Sequence, residues 1–304
     1  DLHKEYRRQR QMCIRDSFCP AKVESQHAEV EPDHSPRPGR GLCRRGAQGA
    51  MTKYSIIIPT YNERRNIGIL YLLLREAFAH PSLRDDEFEI IVVDDGSNDA
   101  TAATAASIGA QLFPENNLVV VRLPKNRGKG GAVKEGVLRS RGAYVLLADA
   151  DGATDIRDHA SLEARALAGD CAVVCGSRAH LVDTAVVARR SVVRNILMRG
   201  FHAVVQIVGG VEGVRDTQCG FKLFRRREAL VLFKQLHLER WAFDVEILYV
   251  ALALRYKVAE VPVTWTEVPG SKVDLVRDSL RMARDIACVR LAYLGGLWRL
   301  PQHR

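Results

Sequence analysis

Phe88-Glu89-Ile90-Ile91-Val92-Val93-Asp94-Asp95-Gly96-Ser97 is the stretch whose reading decides the fold. It is a run of strand length, apolar and β-branched, closed by an acidic turn. A strand that is apolar without alternation is buried on both faces, as in a parallel sheet covered by helices. Working outward, the same rhythm repeats. Tyr54 to Ile58 is a β-branched run ended by Pro59, and Asn66 to Ala79 is helical in composition. Ser97 or Asn98 is expected to cap the Ala-rich helix that follows the acidic turn. Leu118 to Leu123 reads as a third strand, Gly130 to Arg139 as a helix, Ala143 to Ala148 as a fourth strand and Ala172 to Cys175 as a fifth. Alternation of this kind predicts an α/β fold, a Rossmann-like, mostly parallel sheet flanked by helices. No internal repeat interrupts it.

After Ser177 the rhythm changes. Residues 186–211 are helical in pattern, with Arg189, Arg190, Arg194 and Arg199 among many apolar side chains. A sheet-like segment at Phe221 to Phe224, a helix near Phe243 to Leu254 and a strand near Val258 to Val261 follow. A basic amphipathic tail runs from Leu275 to Leu300.

The chain has 304 residues, 47% hydrophobic, with a formal charge of +9. That supports one large core and favours anionic partners: phosphate esters, anionic lipid surfaces or nucleic acid. Nucleic acid is set aside, because no recognised module or interleaving of aromatic with basic residues occurs. Seven cysteines without a CxxC pair argue against a disulfide framework and for a reducing compartment, with Cys171 and Cys175 as buried thiols. No run of about 18 apolar residues predicts a membrane-spanning helix. The first 50 residues lack the apolar core of a signal peptide, and their Arg, Pro, Gln and Gly content predicts disorder. Met51, just before the first strong strand, is the expected natural start, which would make residues 1–50 a non-native segment.

The polar clusters fall at strand ends, where open α/β sheets bind ligands. Pro59-Thr60-Tyr61-Asn62-Glu63 follows strand one, Asp94-Asp95-Gly96-Ser97 strand two, and Asp149-Ala150-Asp151-Gly152 strand four. Acidic groups gathered in one place repel one another unless a cation or hydrogen-bond donors meet them. Asp149 and Asp151, one residue apart, can approach one hard cation, Mg²⁺ or Mn²⁺, shared with substrate phosphates. Lys125-Asn126-Arg127-Gly128-Lys129-Gly130-Gly131 is a basic, Gly-rich loop before a helix, suited to phosphate but lacking the GxxxxGK[ST] pattern.

These motifs resemble, in order and spacing, the inverting family 2 glycosyltransferases with a GT-A fold. Within that family the resemblance points to enzymes that glucosylate dolichyl phosphate. It is carried further by Gly176-Ser177-Arg178, by Arg215-Asp216-Thr217-Gln218-Cys219-Gly220-Phe221-Lys222, by Glu239-Arg240-Trp241-Ala242-Phe243-Asp244-Val245-Glu246, and by Gly270-Ser271-Lys272. The resemblance implies UDP-glucose as donor, dolichyl phosphate as acceptor and a Mg²⁺ or Mn²⁺ cofactor. The mannosyl enzyme using GDP-mannose and a catalytically silent nucleotide-binding, membrane-associated protein are the alternatives. Pro59, Tyr61, Glu63 and Asp94 would hold base and ribose, and Asp95 and Lys129 would lie near ribose or phosphate. Asp149 and Asp151 would hold the metal, Arg178 a phosphate, and Arg190 and Arg194 the acceptor phosphate. Lys272 would close over the diphosphate, and Asp244 and Glu246 would organise the site. Trp241 and Phe243 are read rather as core packing than as site residues. The implied organisation is a GT-A domain over residues 51–270, including interfacial helices at 186–211, then a basic amphipathic segment at 271–304. Other implied partners are a membrane surface and, in an oligomer, a second copy of the chain. Relatives commonly begin with an anchoring helix and this chain shows none, so the expectation is peripheral attachment to the cytosolic face of the endoplasmic reticulum.

Overall fold

The computed structural model describes residues 52–78, 88–112, 117–181, 211, 213–266 and 275–301. Residues 1–50, most of 186–211, Arg190, Arg194 and Lys272 lie outside the described residues. In chain order the elements are β1 (Tyr54–Thr60), α1 (Ile67–Phe78), β2 (Phe88–Asp94), α2 (Thr101–Leu112), β3 (Leu118–Arg122), α3 (Lys129–Arg139) and β4 (Tyr144–Leu147). They continue with α4 (His159–Gly169), β5 (Val173–Ser177), β6 (Lys222–Arg225), α5 (Arg226–Lys234), α6 (Phe243–Ala253), β7 (Val258–Pro262) and α7 (Leu275–Leu294).

The strands form one sheet in the order β3-β2-β1-β4-β6-β5-β7. All neighbours are parallel except around β6, which runs antiparallel to β4 and β5. Successive side chains of a strand face opposite ways, so continuous apolar runs feed two cores. Ile57, Ile91 and Val93 join Val133, Val137, Phe233 and Leu248 on one face. Ile56, Ile58, Ile90 and Val92 join Leu70, Leu74 and Leu162 on the other. Helix α3 comes close to β1 because residue 136 is glycine: a Cβ there would lie 2.4 Å from Ile57 Cγ2.

Two expectations change in detail. The third strand is an edge strand and half exposed, since β3 has only β2 beside it. Ser97 does not cap α2; its hydroxyl is held by Asp94, and the Thr101 N–H donates instead to Asp99 Oδ1 at 2.9 Å. The C-terminal helix α7 packs on α6 within the compact unit 51–304, burying Ile286 and Val289.

Candidate active site

The parallel register of β1, β2 and β4 brings their carboxyl ends to one edge of the sheet. After β1 the chain turns through Asn62, whose φ of 55° lies in the left-handed region that Asn tolerates. The turn is tied to the next strand end: Asn62 N donates to Ser97 Oγ at 2.9 Å, and Glu63 N to Thr101 Oγ1 at 2.9 Å. Pro59, Tyr61 and Glu63 are thereby fixed beside Asp94. Asp94 is buried; its Oδ1 accepts from Ser97 N at 3.2 Å. Its Oδ2 is buried without a hydrogen bond and faces Arg122 Nε at 3.5 Å.

Asp95 turns elsewhere. Its two oxygens accept from the backbone N–H groups of Arg127, at 2.7 Å, and Gly128, at 2.8 Å. Burial pushes its carboxyl up, against those two hydrogen bonds. These bonds tie the Gly-rich loop to the end of β2. The loop has a second clamp. The Arg127 guanidinium meets Glu239 through Nε at 3.1 Å and Glu135 at 2.7 Å. Gly128, at φ 96°, could not carry a side chain, since a Cβ would lie 2.6 Å from Glu239 O.

The clamped loop presents Lys129, the first residue of α3, to Asp149. Lys129 Nζ lies 2.6 Å from Asp149 Oδ1, and the side chains are 17% and 37% exposed. Burial alone would raise the Asp149 carboxyl, but the Lys129 ammonium holds it below its ordinary value. Asp151 is pushed up by burial and by the charge of Asp149, while its Oδ1 accepts from Ala153 N at 2.9 Å. Gly220 leaves room beside Asp149: a Cβ there would lie 2.1 Å from Oδ2. Two hard oxygen donors at one strand end suit a divalent cation completed by phosphate oxygens. Among the described residues no group of three or more His, Cys, Asp or Glu side chains could hold a metal alone.

Beneath lies a second layer. Lys222, on β6, is wholly buried; its Nζ bonds Asp244 Oδ1 at 2.6 Å and Thr217 O at 3.0 Å. Burial pushes the Asp244 carboxyl up despite the Lys222 and Lys129 charges. Arg178 forms a two-pronged pair with Asp216, Nε to Oδ2 at 2.7 Å and Nη2 to Oδ1 at 2.9 Å, and lies over the Trp265 ring at 5.8 Å. It is therefore held beside the site by a fixed carboxylate. Glu246 serves the scaffold: it accepts from Leu238 N at 2.7 Å and His237 Nδ1 at 2.7 Å. Trp241 is partly exposed 5.9 Å from Lys129 Nζ, whereas Phe243 is core. The sequence reading missed the Arg127 clamp, Asp216 and Lys222 as site residues. Lys222 left a signal, a lone charge inside the apolar run Phe221 to Phe224.

The family model of glycosyl transferase family 2 matches residues 55–228, which span every element just described up to β6. The chain belongs to that family. Two relatives extend the likeness. The dolichyl-phosphate beta-glucosyltransferase of Dictyostelium discoideum is 48% identical over 251 residues, 81% of this chain and 76% of its own. The human protein of that name is 44% identical over 260 residues, 82% of this chain and 78% of its own. Among solved structures, glucosyl-3-phosphoglycerate synthase from Mycobacterium tuberculosis in complex with Mn²⁺, UDP-glucose and phosphoglyceric acid matches with a TM-score of 0.53 at 19% identity. It covers 83% of this chain and 81% of that one, and it bears on the fold alone. Membership of family 2 makes this chain a glycosyltransferase with a GT-A-like sheet, similar in sequence to dolichyl-phosphate glucosyltransferases.

Proposed function

We propose that this glycosyltransferase moves glucose from UDP-glucose to dolichyl phosphate with inversion, giving dolichyl β-D-glucosyl phosphate and UDP. The observation that carries the reading is the cluster of Lys129, Asp149 and Asp151 at the strand ends, with Asp94 beside it. Asp94 Oδ2, buried and short of a donor, suits a hydroxyl of the nucleoside. The Gly-rich loop, pinned by Asp95 and Arg127, sets Lys129 against the diphosphate. A divalent ion held by Asp149 and Asp151 would neutralise the leaving diphosphate.

A phosphate oxygen of the acceptor is already an anion near neutral pH. It attacks the anomeric carbon as the bond to the diphosphate breaks on the opposite face, and UDP departs with the electron pair. No general base is required, so catalysis rests on positioning and on charge stabilisation. Arg178, held by Asp216, would take the acceptor phosphate, a role shared with Arg190 and Arg194. Asp244 sets the charge behind Asp149 and Lys129, and Lys272 would cover the diphosphate.

The acceptor's lipid keeps it in a bilayer, so its phosphate must be met at the interface. Among the described residues no helix is long and apolar enough to cross a membrane. Helix α7 and the turn after it turn Leu280, Leu291, Leu294 and Leu297 to the outside, the last 82% exposed. Such a face suits the headgroup layer of a membrane, which we place at the cytosolic side of the endoplasmic reticulum. Radiolabelled UDP-glucose and GDP-mannose, offered in parallel with a polyprenyl phosphate, test the reading. Label should reach the lipid from UDP-glucose. Transfer from GDP-mannose alone would make the enzyme a mannosyltransferase, and transfer from neither would support the silent reading.

A further inference from the structure

Two cations have a claim on Asp149. One is the divalent ion of the proposed reaction, and this inference rests on that reading of Asp149 and Asp151. The other belongs to the protein. Lys129 Nζ lies 2.6 Å from Asp149 Oδ1, within hydrogen-bond distance. Its position is not adjustable at the backbone: Gly128 is held by Asp95 at 2.8 Å, and Gly131 N donates to Glu239 O at 2.9 Å. Only the four-carbon stem of the side chain can move. Motion is possible there, since the pair is partly open and one side is the face of Trp241.

A divalent ion coordinated at Asp149 and an ammonium bonded to the same carboxylate repel each other at short range. Lys129 must then give way, and it needs another negative partner. Asp244 attracts it from below but already holds Lys222 at 2.6 Å. The diphosphate arriving with the metal supplies fresh negative charge above. We propose that Lys129 competes with the divalent cation for Asp149 and is exchanged for it, its ammonium passing to the diphosphate that accompanies the cation. The exchange makes metal and nucleotide bind cooperatively, because each gives what the other displaces: the metal releases Lys129, and the diphosphate receives it. It also disfavours the metal alone.

Mn²⁺ binding followed by electron paramagnetic resonance, with and without UDP, tests this without turnover. Lys129→Met keeps the stem and removes the charge. Mn²⁺ alone should bind this variant about ten-fold more tightly than the wild type, as removal of a cation touching the ligand implies. UDP should then improve Mn²⁺ affinity less in the variant than in the wild type. Lys129→Arg, which keeps the charge, should retain weak binding of Mn²⁺ alone. Equal or weaker Mn²⁺ binding by the folded Lys129→Met protein overturns the exchange. A wild-type measurement covers the case in which that variant fails to fold. Amine labelling at Lys129, read by mass spectrometry, should accelerate with saturating Mn²⁺ and slow again when UDP is added. Unchanged labelling overturns the proposal. Glucosyl transfer that persists alongside such a failure leaves the reaction standing and removes only the exchange, whereas no Mn²⁺ binding with or without UDP removes the metal reading as well.

Discussion

Two lysine–aspartate pairs, each closed at 2.6 Å, sit at different depths of one site. Lys129–Asp149 lies at the mouth, 17% and 37% exposed. Lys222–Asp244 lies in the floor, 1% and 5% exposed, and Lys222 is bonded as well to the carbonyls of Thr217 and Cys219. The chemistry is the same and the surroundings are not. At the mouth, water and ligands can replace either partner, so the pair can be remade with each turnover. In the floor, no solvent compensates a lost partner, so the pair behaves as framework. Depth separates the residues that exchange partners from those that hold the site in shape.

The comparison breaks most readily at the floor. Lys222→Met leaves the Asp244 carboxylate buried without its cation, and stability should fall by about 3–5 kcal/mol in urea unfolding. A loss under about 1 kcal/mol would mean that the floor pair behaves like a surface one. At the mouth, Asp151→Asn should leave the unfolding midpoint near that of the wild type, because it relieves repulsion from Asp149. Its turnover should fall about 100-fold or more through lost stabilisation of the leaving diphosphate. Full activity of Asp151→Asn, or undiminished wild-type activity in chelator, would put the metal elsewhere. In the loop that carries Lys129, Arg127→Ala removes the contacts to Glu239 and Glu135. Those contacts are partly exposed, so UDP should bind about ten-fold less tightly, or roughly 1.4 kcal/mol by calorimetry.

The smallest effect concerns pH. Burial would raise the Asp216 carboxyl, but the Arg178 guanidinium holds it below its ordinary value of 3.8. A carboxyl depressed in the folded state adds stability that is fully present above that ordinary value. The contribution is lost as pH falls through the lower folded value. Asp216→Asn should therefore flatten the acid limb of the stability profile below about pH 4. An unchanged acid limb would show that the pair adds nothing there.

The sequence named the mouth carboxylates and Asp244 as candidates but not the partners that hold the floor together, for a physical reason. Asp94, Asp149 and Asp151 stand in strand-end turns, and an apolar run that stops at an acidic turn announces its own position. The function of Lys222 depends on Asp244, 22 residues away, and that of Arg178 on Asp216, 38 residues away. No local pattern reports which distant carboxylate a cation will meet. Ser97 shows the same limit at short range. It has the composition of a helix cap, but Asp94 is closer and takes its hydroxyl. Asp95 was legible as a site residue and not as a clamp, because its partners are backbone groups of a loop 32 and 33 residues on. The outward leucines of α7 were visible as an amphipathic pattern, while the burial of Ile286 and Val289 against α6 needed the packing itself.

The central claim, an inverting transfer of glucose from UDP-glucose to a lipid phosphate, meets its most direct test in the product. Purified protein is given UDP-[¹³C]glucose, a polyprenyl phosphate and Mn²⁺, and the lipid fraction is read by NMR at the anomeric carbon. The account predicts a β-linked glucosyl phosphate, formed only when the lipid phosphate is present. An α-linked product, or free glucose released at the same rate without the lipid, would contradict it.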